Sequence, residues 1–147
     1  MIPAVPPFFL RAQGPQERGQ FLLYPFVGHI VGPDLYLAND FGPDELYLST
    51  GAVENPPRFK RVIDTSGHPG IGNDWWKGMN VDFGDVDGNG ALDIYVTNIL
   101  APRYKSDEGN MLWLNFDDAS REGGRRFENV ALACGVADGG WGWGAKF

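Results

Sequence analysis

The chain has 147 residues, a formal net charge of -7, one cysteine, 21 glycines, 11 prolines and 14% aromatics. A chain this acidic offers no basic stripe for nucleic acid, no apolar window approaches the roughly 18 residues of a membrane span, and Cys134, being alone, forms no internal disulfide. The length suits one domain with a real core, and abundant turn formers without apolar spacing at three and four favour β structure with little helix.

In chain order, residues 1–20, with Pro6-Pro7 and Gly14-Pro15, show no strand pattern and are expected to be a leader or unstructured arm. The opening Met1-Ile2-Pro3 lacks the basic segment and continuous apolar run of a signal peptide. His29 precedes a β-branched run and is expected to be a strand residue. Short β-prone runs follow at Asp34 to Asn39, Leu46 to Leu48 and Phe59 to Val62, then a glycine-rich connection from Ser66 to Asp74. Four more come at Met79 to Phe83, Leu92 to Thr97, Met111 to Leu114 and Phe127 to Ala131, and the chain closes on Gly140 to Phe147.

Laying the chain on itself shows a repeat. Asp34-Leu-Tyr36-Leu-Ala-Asn39 matches Asp93-Ile-Tyr95-Val-Thr-Asn98 at an offset of 59, and Leu46-Tyr47-Leu48 matches Leu112-Trp113-Leu114 at 66. The larger second offset implies a surface insertion around Arg103 to Gly109. Phe59 and Val62 match Phe127 and Val130 at 68, and Gly78 and Phe83 match Gly142 and Phe147 at 64. Four short strands per period is the signature of a propeller blade. A β-sandwich would also give short strands, but would not return the same four-part order. The expected organisation is a first blade over 21–75, a second over 76–135 and the first strand of a third, truncated blade over 136–147. Blades bury their faces on one another, so Phe83, Tyr95, Trp113, Phe127, Trp141 and Trp143 are expected to fill the layers between them. Some of these would stay exposed and favour self-association.

The most informative segment is Asp85-Val-Asp87-Gly-Asn89-Gly-Ala91-Leu-Asp93, which puts an oxygen ligand at alternate positions with glycine between. Calcium takes six to eight oxygens at about 2.3 to 2.6 Å. Asp85, Asp87, Asn89 and Asp93 supply side-chain oxygens, the carbonyl of Ala91 is expected to point inward, and Gly88 and Gly90 allow a tight coil. The bland alternative is a polar turn, which does not call for acids at positions one, three and nine. An EF-hand is excluded, because its twelfth position must be a bidentate Glu and here is Val96. The residues before Asp34, Gly28 to Pro33, carry no acids, so the first copy is expected to have lost its ion site.

Phe83-Gly84-Asp85 through Asn98, with Leu37 to Pro43 and Gly140-Trp-Gly-Trp-Gly144, resembles the FG-GAP/VCBS repeat family over about residues 30 to 147. The branch it is most similar to is the bacterial ASPIC/UnbV-type and cartilage-acidic-protein-like members. The resemblance implies an all-β, integrin-α-like β-propeller, here incomplete, with Ca2+ held by Asp85, Asp87, Asn89, Ala91 and Asp93. It further implies an exported protein, extracellular, on the cell surface or periplasmic, that binds a protein or carbohydrate and does no catalysis. The alternative is a calcium-dependent polysaccharide lyase or hydrolase domain, for which His68 and Lys77 are the nearby bases. Nothing in the sequence pairs either with the loop. Neither histidine has a partner at zinc-ligand spacing. Trp75-Trp76 and Trp141-Gly-Trp143 could stack on sugar rings, but their repeat-equivalent placement points to core. Asn39 to Asp44 reads as turn chemistry, Arg103, Lys105, Arg125 and Arg126 as solvated charges, and Cys134 as a small buried apolar residue.

Overall fold

The computed structural model describes residues 19–25, 33–50, 58–64, 70–100, 108–121 and 124–147. The arm up to residue 18, the acid-poor segment before Pro33, both histidines, and Arg103 and Lys105 with most of the expected insertion lie outside them. Among the described residues the chain is all-β. Strands β1 (Gly19–Pro25), β2 (Pro33–Asn39), β3 (Glu45–Ser49) and β4 (Phe59–Val62) form one antiparallel sheet in sequential order. A second sheet of the same order contains β5 (Gly78–Gly84), β6 (Asp93–Asn98), β7 (Met111–Asp117) and β8 (Arg125–Asn129).

Alternation along each strand decides which side is buried. On the second sheet Phe83, Ile94 and Trp113 stand in one lateral row, and Val81, Val96 and Met111 in the next, as the strand register requires. These rows and Phe127 meet Tyr36, Ala38, Leu46 and Leu48 of the first sheet in one continuous core, joined by Ile71 from the connection. The rings of Tyr36 and Phe83 meet edge to face across it, 6.5 Å between centroids.

The opposite face of β5 and β6 is covered by the last segment of the chain. The N–H groups of Ala145 and Phe147 donate to Asn80 Oδ1 at 3.0 Å and Asp82 Oδ2 at 2.6 Å, and the Phe147 ring lies 6.0 Å from that of Tyr95. This segment is not the strand expected over 136–147: its one ladder contact is an isolated bridge between Ile99 and Trp141.

Contacts made by the first sheet recur on the second at the sequence offsets. Ser49 N–H donates to Asp34 Oδ1 at 2.8 Å, as Asn115 N–H does to Asp93 Oδ1 at 2.9 Å. Asn39 N–H donates to Asp44 Oδ1 at 2.7 Å, as Asn98 N–H does to Asn110 Oδ1 at 2.9 Å. The side-chain amides of Asn39 and Asn98 reach the carbonyls of Pro43 and Gly109, both at 2.8 Å. Gly78 is pressed against Ala38, Asn39 and Asp44, and Gly142 against Thr97 and Asn110.

Tryptophans lie close in sequence to both glycines. Gly142 lies against Thr97 and Asn110, while Trp141 and Trp143 on either side of it are 57% and 62% exposed instead of filling an internal layer. Trp76 packs on the core while Trp75, its neighbour, points away and is 69% exposed. Cys134 is exposed rather than buried, because it sits on a turn that projects from the end of β8 and closes through its N–H on the Val130 carbonyl at 2.9 Å.

Candidate metal centre

The loop between β5 and β6 is held in shape by its own carboxylates. Asn89 N–H donates to Asp85 Oδ1 and Asp87 Oδ1, both at 3.0 Å, and Gly90 N–H donates to Asp85 Oδ2 at 3.0 Å. Gly88 and Gly90 have φ of 75° and 88°, a left-handed backbone that a side chain would strain. With both residues so turned, successive N–H groups point inward and draw the acids toward one another.

Asp93 comes from the first residue of β6 and is buried, whereas Asp85 and Asp87 are exposed on the loop. Its Oδ1 accepts from Asn115 N–H at 2.9 Å and its Oδ2 from Val86 N–H at 2.9 Å. Each carboxylate oxygen has two lone pairs, so both retain acceptor capacity toward the loop. Burial pushes the Asp93 carboxyl above the usual range, the two N–H bonds pull it down, and the charges of Asp87 and Asp85 push it up again.

One oxygen from each of Asp85, Asp87 and Asp93 lies within 4.8 Å of the other two. Three points so spaced all fall within about 2.8 Å of a common centre, close to the span of calcium–oxygen bonds of about 2.3 to 2.6 Å. The donor set is all oxygen and triply acidic, which suits a hard divalent cation rather than zinc or copper. The cluster of three acids can therefore hold a metal ion.

Asn89 is oriented differently from expectation. Its side-chain oxygen accepts from Ala91 N–H at 2.8 Å, while its amide nitrogen donates to Asp87 Oδ2 and to the Asn115 carbonyl, both at 3.1 Å. It braces the loop against β7. Ala91 enters this arrangement through its N–H; Asn89 and Ala91 are thus placed at the loop, and the acids are what converge.

Sequence reading missed Asn115, which has no unusual neighbours in the chain. Besides receiving Asn89 and serving Asp93, it donates from its side-chain nitrogen to the Leu92 carbonyl at 2.9 Å and accepts from Arg125 Nε at 2.7 Å. Arg125, expected to be solvated, is buried and also ion-paired to Asp117. The signal the sequence offered was the offset of 66, which sets Asn115 opposite Ser49 just as the offset of 59 sets Asp93 opposite Asp34. Lys77 is ion-paired to Glu108 at 2.7 Å, so its ammonium is committed away from the loop.

No family model matches the chain, and comparison with curated proteins and with solved structures found no match.

Proposed function

We propose that the chain is a non-catalytic, calcium-binding module built from two propeller-type blades, with Ca2+ held by Asp85, Asp87 and Asp93. The observation that carries this reading is the convergence of three carboxylate oxygens within 4.8 Å of one another. In this reading Asn89 and Ala91 add carbonyl oxygens to the shell, which requires the Asn89 amide to give up its bonds to the Ala91 N–H, Asp87 and the Asn115 carbonyl when the ion binds. The recurring contacts between the two sheets support blades of the FG-GAP/VCBS kind, in which each four-stranded unit lays one face on the next. In this reading the ion pins the β5–β6 hairpin, and the module presents its surface to a protein or carbohydrate outside the cell or in the periplasm, as the resemblance implies. An assembly of such blades associates through the faces and edges left uncovered.

Isothermal titration of the metal-free chain with calcium tests it. One site is expected, weakened at least about tenfold by Asp87→Asn through loss of a charged ligand. Absence of saturable calcium binding to folded protein overturns the reading.

A further inference from the structure

Asn89-Gly90 is the one place in the chain where glycine follows asparagine. The backbone nitrogen after an asparagine can attack that side chain's Cγ and close a cyclic imide, a reaction favoured because both partners belong to one short stretch of chain. Both residues are exposed on the loop between β5 and β6, so water has access. Gly90 carries no side chain to crowd its nitrogen. Its φ is 88°, and a Cβ built on it would meet nothing within 4 Å, so its peptide has room to pivot toward Asn89.

The hydrogen bonds of the loop suit each part of that reaction. The Gly90 N–H donates to Asp85 Oδ2 at 3.0 Å, which puts a carboxylate where the proton of the attacking nitrogen must go. Asn89 Oδ1 accepts from the Ala91 N–H at 2.8 Å, a backbone donor aimed at the oxygen on which negative charge develops. The departing nitrogen, Asn89 Nδ2, lies 3.1 Å from both Asp87 Oδ2 and the Asn115 carbonyl. These partners fix the amide's orientation: turned over, Nδ2 would meet the Ala91 N–H donor against donor, and Oδ1 would face two acceptors.

We infer that Asn89-Gly90 is a site of spontaneous covalent modification, at which the folded loop promotes conversion of Asn89 to aspartate and isoaspartate. The Gly90 nitrogen bonds to Asn89 Cγ as its proton passes to Asp85. The tetrahedral carbon then expels Nδ2, which takes up that proton and leaves as ammonia. Water adds to one or other carbonyl of the cyclic imide and opens it. One opening gives aspartate at position 89, the other an isoaspartyl link that runs the backbone through the side chain. Water is consumed and ammonia released, with nothing oxidised or reduced. Either product adds a negative charge beside Asp85 and Asp87 and removes the donor that braces the loop on the Asn115 carbonyl. The isoaspartyl form also lengthens the coil by a methylene. None of these steps needs an ion in the loop.

The test is a time course of the full chain in EGTA at mildly alkaline pH, mapped by tandem mass spectrometry, beside the same chain held unfolded in urea. Asn89 should convert at least about tenfold faster in the folded chain, as a positioned base requires. Asp85→Asn should lose that advantage, whereas Glu128→Gln, exposed on β8, should keep it. If Asp85→Asn does not fold, the comparison of folded with unfolded parent still decides. The proposal is overturned if Asn89 stays intact in the folded chain, if it converts no faster folded than unfolded, or if Asp85→Asn leaves the rate unchanged. With calcium absent throughout, such a failure leaves the calcium reading standing.

Discussion

Asp93 and Asn115 are joined directly, the Asn115 N–H donating to Asp93 Oδ1 at 2.9 Å, and Asn115 also takes up the Asn89 amide on its carbonyl at 3.1 Å. The buried acid is therefore a structural acceptor as well as a member of the acidic trio, just as Asp34 serves Ser49 in the first sheet. Replacing it affects the protein with or without metal. Asp93→Asn, which leaves one N–H without its acceptor, should cost about 1 to 3 kcal/mol even in chelator. Urea unfolding in excess EGTA measures it; equal midpoints for variant and parent would refute the structural role.

Asp87 behaves differently, because it is exposed and holds only the loop's own groups. A calcium site with a dissociation constant of about 0.1 mM adds about 1.4 kcal/mol at millimolar free calcium. For a chain of this length that corresponds to a rise in Tm of about 3 to 6 °C. Asp87→Ala should melt like the parent in chelator and fail to rise when calcium is added. Scanning calorimetry of both proteins, with and without calcium, gives the comparison.

Asp44 supplies a pH dependence. It is fully buried, accepts from the Tyr36 hydroxyl at 2.9 Å, and its N–H lies 3.2 Å from a carboxylate oxygen of Asp74, also fully buried. Burial holds the Asp44 carboxyl well above the usual range, the Asp74 charge adds to this, and the Asn39 and Tyr36 hydrogen bonds oppose it. The folded chain thus binds this proton more tightly than the unfolded one, so the contribution to stability is complete below the unfolded pKa and declines as pH rises toward the folded one. In the second sheet the same position is Asn110, whose side-chain oxygen receives the equivalent backbone N–H and whose nitrogen donates to Tyr95 Oη at 2.9 Å. Asp44→Asn should therefore fold, and should gain on the parent as pH rises from 4 toward 8. Urea unfolding of both across that range reads the difference, which reports Asp44 together with its interaction with Asp74.

Gly78 tests the seat of one sheet on the other. A Cβ there would lie 2.6 Å from Asp44 Oδ1 and 3.0 Å from the Asn39 nitrogen, which is backbone and cannot move aside. Gly78→Ala should cost about 1 to 3 kcal/mol as an overpacked contact. At Gly142 the nearest atom, Thr97 Cβ, is 3.0 Å away. Gly142→Ala should loosen the terminal segment, which limited proteolysis detects as earlier cleavage near Trp141.

Much of this architecture was legible in the chain. The runs around Tyr36, Leu46, Tyr95 and Trp113 are rich in β-branched, aromatic and leucine residues bounded by turn formers, and strands formed there, the first three within a residue or two of the expected ends and the last extending three residues further, to Asp117. The acidic loop was legible because one short segment contains its acids. β1 was not: Gly19 to Pro25 begins with glycine and ends with proline, and its identity as a strand comes from pairing with β2. The same holds for groups that meet only in space. Asp44 and Asp74 are 30 residues apart, and the burial of Arg125 depends on Asn115 and Asp117 across the β7–β8 pair. The exposure of Trp141 and Trp143, on either side of Gly142 where it fits against Thr97, is a fact of packing that aromatic content alone does not convey.

The place of β5 bears on how the molecule comes apart. It opens the second sheet by pairing with β6, and through Gly78 and Phe83 it lies on Asn39, Asp44 and Tyr36 of the first. Withdrawing that single ribbon would strip both halves at once, so denaturation should proceed as one event with coincident fluorescence and circular-dichroism transitions, neither sheet surviving the loss of the other.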